Sequence, residues 1–114
     1  MKKAFRLKRP ADFKKTYKEG RRFRSPHFVL YVRENPGHVA RLGVSIAKAH
    51  AKLASRRNRL RRVAKETFRT ELLKKLDGYN VVVSLRYGAG QIAAGVIEEE
   101  LKELLRRARP EGNG

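Results

Sequence analysis

The chain has no cysteine. That excludes disulfides, a thiolate nucleophile and cysteine-based metal sites, and it agrees with a cytoplasmic protein. No run of about 20 apolar residues occurs, so no membrane-spanning helix and no membrane partner are expected. The N-terminal stretch Met1-Lys2-Lys3-Ala4-Phe5-Arg6 is basic but is not followed by an apolar signal core. Acids are scarce, with 11 Asp and Glu against 29 Lys and Arg. Those before residue 91 (Asp12, Glu19, Glu34, Glu66, Glu71, Asp77) each fall in a helix or turn among lysines and arginines. That is local charge balance rather than a general acid–base pair. His27, His38 and His50 have no metal-ligand partner three or four residues further on. No glycine-rich phosphate loop precedes a helix, and Ser45 and Ser84 lack the neighbours that activate a nucleophile. The polypeptide is therefore read as a binding module with no catalytic residue and no metal site.

What is abundant is positive charge, +18 over 114 residues. Residues 1–90 carry 25 basic and 6 acidic side chains, whereas 91–114 carry 4 and 5. The C-terminal segment is thus expected to brace the fold, and the rest to meet a polyanion, nucleic acid before an anionic membrane surface. The charge peaks at Ser55-Arg56-Arg57-Asn58-Arg59-Leu60-Arg61-Arg62-Val63-Ala64-Lys65. Wound as a helix at about 100° per residue, Leu60, Val63, Ala64 and Thr67 collect on one side. Asn58, Arg61, Arg62, Lys65 and Arg69 collect on the other, with Arg57 and Arg59 on the flanks. Phe68 and Leu72 fall off this four-residue stripe, so the buried stripe must be broad. Like charges at i,i+4 spacing repel, and solvated faces normally mix signs, so this face is read as a polyanion-binding surface.

The remaining pattern predicts one domain over residues 1–114, with a basic arm at 1–9 and a flexible tail at 110–114. Pro10 and Gly20 bracket a helix that carries Phe13 and Tyr17 four residues apart as two stacked rings. Arg21 to Ser25 suits an edge strand. From His27 to Arg33, Phe28, Leu30 and Val32 face one way and Val29, Tyr31 and Arg33 the other. Asn35-Pro36-Gly37 is a turn, and Val39 to Ala47 returns with Leu42, Val44 and Ile46 inward. The outward face, Tyr31 beside small residues, reads as a shallow open surface. Ser55 is the expected N-cap of the basic helix, which runs to about Leu76 and stops at Asp77-Gly78. Tyr79 to Tyr87 is a strand buried in the sheet. A last helix presents Ile97, Leu101, Leu104, Leu105 and Ala108. The order is α-β-β-β-α-β-α, without repeats or low-complexity tracts.

Arg57-Asn58-Arg59 followed by Arg61, Arg62 and Lys65, after a strand ending Ser45-Ile46-Ala47-Lys48, resembles the protein subunit of bacterial ribonuclease P. Asp12-Phe13, Phe28-Val29-Leu30-Tyr31 and Arg41-Leu42-Gly43-Val44-Ser45 extend the likeness along nearly the whole chain. The loop Lys48-Ala49-His50-Ala51-Lys52 departs from the family's lysine pair and glycine, and Arg61 stands where lysine is common. The resemblance implies an α+β fold, an α/β sandwich around a four-stranded mixed sheet, with a left-handed β-α-β crossover. Composition alone would have favoured the right-handed form found in about 98% of parallel crossovers.

The same resemblance implies an accessory subunit of an endoribonuclease. The partner RNA, with magnesium (Mg2+) bound mainly by that RNA, would hydrolyse precursor tRNA to remove its 5′ leader. Arg57, Asn58, Arg59, Arg61, Arg62 and Lys65 would dock on ribonuclease P RNA. Phe13, Tyr17, Val29, Tyr31, Ser45 and Lys48 would line a cleft for the single-stranded leader, with Lys52 a lesser candidate. Aromatic platforms suit such a strand, since stacking is worth about 1–3 kcal/mol per base with little sequence preference. The alternative is a structural RNA-binding protein such as a ribosomal component, in which those rings would be buried. A DNA-binding helix is a lesser alternative, and no DNA partner is expected.

Overall fold

The computed structural model describes residues 6–46, 54–71, 77–86 and 93–108. Its elements are α1 (Pro10–Glu19), β1 (Arg21–Arg24), β2 (Phe28–Glu34), β3 (Arg41–Ser45), α2 (Ala54–Glu71), β4 (Tyr79–Leu85) and α3 (Ala94–Ala108). This is the predicted order. Pro10 opens α1 at a position where no helical N–H is needed. Gly20 ends it by close approach: a β-carbon there would lie 2.5 Å from the Thr16 carbonyl oxygen. Gly37, at φ 82°, closes the β2–β3 turn as the Pro-Gly pair requires.

The strands form one mixed sheet in the order β1-β2-β4-β3. β4 runs antiparallel to β2 and parallel to β3, so the last strand is inserted between its predecessors. One sheet face, with Phe28, Leu30, Val32, Leu42, Val81, Val83 and Leu85, packs against Leu60, Ala64 and Phe68 of α2 and the apolar side of α3. Ile97, Leu101, Leu104, Leu105 and Ala108 are all buried, as the helical spacing predicts. The isoleucine and each leucine contribute about 1.5–3 kcal/mol when removed from water. The helix and strand ends are tied together nearby. Asn35 N–H donates to the Gly78 carbonyl (2.6 Å), Gly78 N–H to the His38 carbonyl (2.8 Å), and Ala40 N–H to Asp77 Oδ1 (3.1 Å).

The crossover hand follows from one residue. Leu42 points toward α2, and its carbonyl accepts the Leu7 N–H (2.9 Å) on the edge of β3 away from β4. An extended L-residue whose side chain faces the viewer, in a chain running upward, sends its carbonyl to the right. Seen from α2, Leu7 is therefore on the right of β3 and β4 on the left. The β3-α2-β4 unit is left-handed, against the general preference. Residues 6–9 of the expected basic arm are thereby anchored: Arg6 bridges to Leu42, and Leu7 is buried.

Candidate nucleic-acid interface

α2 begins at Ala54, so Ser55 lies inside the helix rather than at its N-cap. No acid occupies its first turn, where the helix dipole favours negative charge, and Arg56 and Arg57 stand there instead. The buried side is centred on Leu60, Ala64 and Phe68, while Val63 is only half-buried. The stripe is broad, as expected: it takes in Phe68, 1% exposed, beside Leu60 and Ala64. Phe68, the largest apolar side chain described on the helix, takes the centre of the contact. Thr67, also buried, bonds back to the Val63 carbonyl (2.8 Å). Asn58, Arg62 and Arg69 project into solvent, and Arg57, Arg59, Arg61 and Lys65 are half-buried around the rim. Arg69 pairs with Glu66. Partial burial lowers the Lys65 pKa, and the charges of Arg6 and Arg61 lower it further. The face therefore holds its like charges at an electrostatic cost.

The opposite sheet face is open only in part: α1 lies across the row of Val82 and Gly43 and leaves Val29, Tyr31, Ser45 and Ser84 half-buried. Register aligns Arg22, Tyr31, Val82 and Gly43 in one row and Arg24, Val29, Ser84 and Ser45 in the next. Val82 is fully buried although it faces away from the main core. Gly43 is the reason α1 can come so close. A β-carbon there would meet Phe13 Cζ at 2.5 Å, so the ring lies directly on the glycine. Phe13 and Tyr17 are not stacked: their centroids are 6.5 Å apart at 46°. Tyr17 instead meets Tyr31 edge-on, 4.8 Å apart at 86°.

Five of the six predicted cleft residues thus share one face. Phe13, Tyr17 and Tyr31 form a half-exposed aromatic border, beside a strip of Val29 and Ser45. Lys48 lies outside the described residues, as does Lys52. Ser84 was missed. It pairs with both Val29 and Ser45, completing the strip across three strands spaced about 4.8 Å apart. Its signal was its place in the Val81–Leu85 alternation, which needed the β4 register to become readable. Arg24 extends the same row at the sheet edge. The aromatic face and the basic face of α2 lie on opposite layers of the sandwich.

Elsewhere, Glu100 of α3 accepts bonds from the Ser25 hydroxyl, the His27 N–H (2.6 Å) and His27 Nδ1 (2.8 Å). Burial raises its pKa, but these bonds and the His27 charge outweigh that and hold it below its ordinary value. Ser25 bonds the carboxylate and not the imidazole, so the trio fastens the β1–β2 turn to α3 and lacks the geometry of a nucleophile with its base. Among the described residues there is no group of three or more His, Asp or Glu able to hold a metal ion.

A family model described as Ribonuclease P matches residues 1–109. The ribonuclease P protein component of Clostridioides difficile (strain 630) is 34% identical over 102 residues, covering 89% of each chain. That of Clostridium kluyveri is 36% identical over 106 residues, covering 91% of this chain and 94% of the relative. Among solved structures, the Staphylococcus aureus RNase P protein superposes with a TM-score of 0.84 at 30% identity, covering 93% of this chain and 96% of that one. The Thermotoga maritima RNase P protein gives 0.79 at 29% identity, covering 92% and 98%.

Proposed function

The chain belongs to the ribonuclease P protein family, and from that premise we propose that it binds ribonuclease P RNA and the 5′ leader of precursor tRNA. In this reading Arg57, Asn58, Arg59, Arg61, Arg62 and Lys65 dock on the catalytic RNA by neutralising phosphates. The leader lies along Val29, Ser84 and Ser45, with its bases against Phe13, Tyr17 and Tyr31, and Lys48 contributes from the adjoining loop. The RNA carries out the magnesium-dependent hydrolysis that frees the tRNA 5′ end. In this reading the magnesium is held mainly by the RNA. The reading makes the chain a cytoplasmic ribonucleoprotein subunit.

The observation that carries this reading is the half-buried aromatic border beside the strip of Val29, Ser84 and Ser45 on one face, with the basic face of α2 on the other layer. A purely structural RNA binder would have no use for rings kept half in solvent. Bringing a leader strand against a large RNA is repulsive, and a cationic wedge between them lowers that cost. The test is cleavage of a precursor tRNA by a bacterial ribonuclease P RNA at low magnesium, with and without the protein. Restored cleavage and a gain in affinity for precursor over mature tRNA are expected. Equal binding of the two tRNAs in the presence of protein would defeat the leader-cleft reading.

A further inference from the structure

A cleft of about 520 Å3 lies between the Arg6–Arg9 segment, the first turn of α1 and the β2–β3 turn. Arg6, Lys8, Arg9, His38 and Arg41 line it, with Asp12 as the acid on its wall. Among the described residues none of the four Lys and Arg side chains has a hydrogen bond or ion pair. Four cations against one carboxylate leave an excess of three positive charges. The backbone beneath them is fixed, since Leu7 is buried and its N–H is bonded to the Leu42 carbonyl. The backbone that carries Arg6, Lys8 and Arg9 is therefore anchored against β3, which keeps their charges near the cleft.

The cleft is distinct from the aromatic strip. Arg41 lies four residues before Ser45 on β3, roughly 13 Å away along the strand, and Phe13 on Gly43 stands between them. On its other side the cleft joins the basic face of α2: Arg6 bridges to Leu42 at the β3 edge, and the Leu42 side chain faces α2, so the Arg6 charge is felt at Lys65. Positive potential thus continues around the β3 edge from α2 to the start of α1.

We propose that this cleft binds phosphodiester groups of RNA, as a second docking point continuous with α2. The proposal rests on the RNA-binding reading above. Guanidinium groups suit the ligand because their fixed forks match phosphate oxygens bidentately. The phosphates could come from the catalytic RNA or from the leader, and continuity with α2 favours the former.

The experiment compares wild type, Lys8→Gln/Arg41→Gln, Lys8→Gln alone and Arg62→Gln on α2, with thermal unfolding to verify each fold. Binding to ribonuclease P RNA is measured across a salt series, and the assembled holoenzyme is titrated with long-leader precursor and with mature tRNA. Loss of two phosphate contacts predicts about 20-fold weaker RNA binding near 0.15 M salt, and a log K against log salt slope smaller by about 1.4–1.8. Lys8→Gln alone should give about half that slope change. If RNA affinity is unchanged but precursor affinity falls with mature tRNA unaffected, the site stands and its phosphates belong to the leader. If the pocket variants change neither quantity while Arg62→Gln weakens RNA binding, the pocket proposal is overturned and the docking helix is retained. If wild type itself does not bind the RNA, the family-based reading falls and this site with it.

Discussion

Replacing Gly43 with alanine tests the contact that joins α1 to the sheet. The new β-carbon would lie 2.5 Å from Phe13 Cζ, 2.6 Å from Cε1 and 3.3 Å from Leu7 Cβ. Carbon atoms pack comfortably at about 3.5–4.0 Å, so the ring must retreat by about 1 Å. Gly43 does not have positive φ, and alanine is tolerated by the backbone. Overpacking costs about 1–3 kcal/mol, while removing a strand glycine contributes about 0.5–1 kcal/mol in the other direction. A net loss of about 0–2.5 kcal/mol is expected with Phe13 in place. In a Phe13→Ala background no ring needs to move, and the same substitution should be neutral or stabilising by up to about 1 kcal/mol. Urea unfolding of the four variants measures this coupling directly. The displaced ring should also weaken long-leader precursor binding about 3- to 10-fold, part of the roughly 1–3 kcal/mol that one stacked base supplies, with mature tRNA unaffected. An equal cost of Gly43→Ala in both backgrounds would refute the argument that Phe13 rests on this glycine.

Glu100→Gln should cost about 1–3 kcal/mol at pH 7, since it breaks a carboxylate that receives three hydrogen bonds. Because the folded-state pKa of Glu100 lies below its ordinary 4.5, its stabilisation is complete above the unfolded-state value and is lost as pH falls through the folded one. Urea unfolding from pH 7 to pH 3 should therefore show a shallower acid decline in the glutamine variant, and parallel curves would count against the assignment. Arg62→Ala, at an exposed position of α2, should change stability by less than about 0.5 kcal/mol while reducing the salt slope of RNA binding by about 0.7–0.9. A stability loss with an unchanged slope would make that arginine structural. Phe68→Ala should cost about 3–5 kcal/mol by chemical unfolding, because the ring is 1% exposed at the centre of the α2 contact. A cost under 1 kcal/mol would contradict the placement of Phe68 at the centre of that contact.

Local patterns were read well from the sequence, and pairings between distant residues were not. The seven elements, the Pro36-Gly37 turn, the inward faces of β2 and β3, and the buried set of α3 all follow from spacing within a few residues. On α2 the broad stripe holds, and tertiary packing sets its centre nearer Phe68 than Val63, a choice that a helical wheel does not resolve. The cover that α1 lays over part of the outward face was not readable from alternation, which tells which residues share a face but not what lies on it. Its clue was Val81-Val82-Val83: a continuous apolar run belongs to a strand buried on both sides, and α1 supplies the second cover. Ser84 joins Val29 and Ser45 only because β4 inserts between β2 and β3, a pairing across more than 30 residues in sequence. The left-handed crossover was expected from resemblance alone, and the Leu42 carbonyl now gives it a geometric basis.

The two helices of the main layer show how the charge on α2 differs from ordinary surface charge. Both bury an apolar stripe against the same sheet, so both must present polar residues to solvent. α3 balances its own, with Lys102 paired to Glu98 (3.1 Å) and Arg106 to Glu103 at i,i+3 and i,i+4 positions. It also has Arg106 and Arg107 in its last turn, where the dipole favours cations. α2 has the reverse arrangement, with Arg56 and Arg57 in its first turn and no acid there. Arg61, Arg62 and Lys65 have no acidic partner among the described residues. Each such choice costs the isolated helix a few tenths of a kcal/mol. A polyanion reverses the sign of all of them together, since bound phosphate relieves both the repulsion among the cations and their conflict with the helix dipole. The same relief should appear as stability. Added RNA should raise the unfolding temperature of wild type more than that of Arg62→Ala, and equal shifts would remove the link between the charge pattern and its partner.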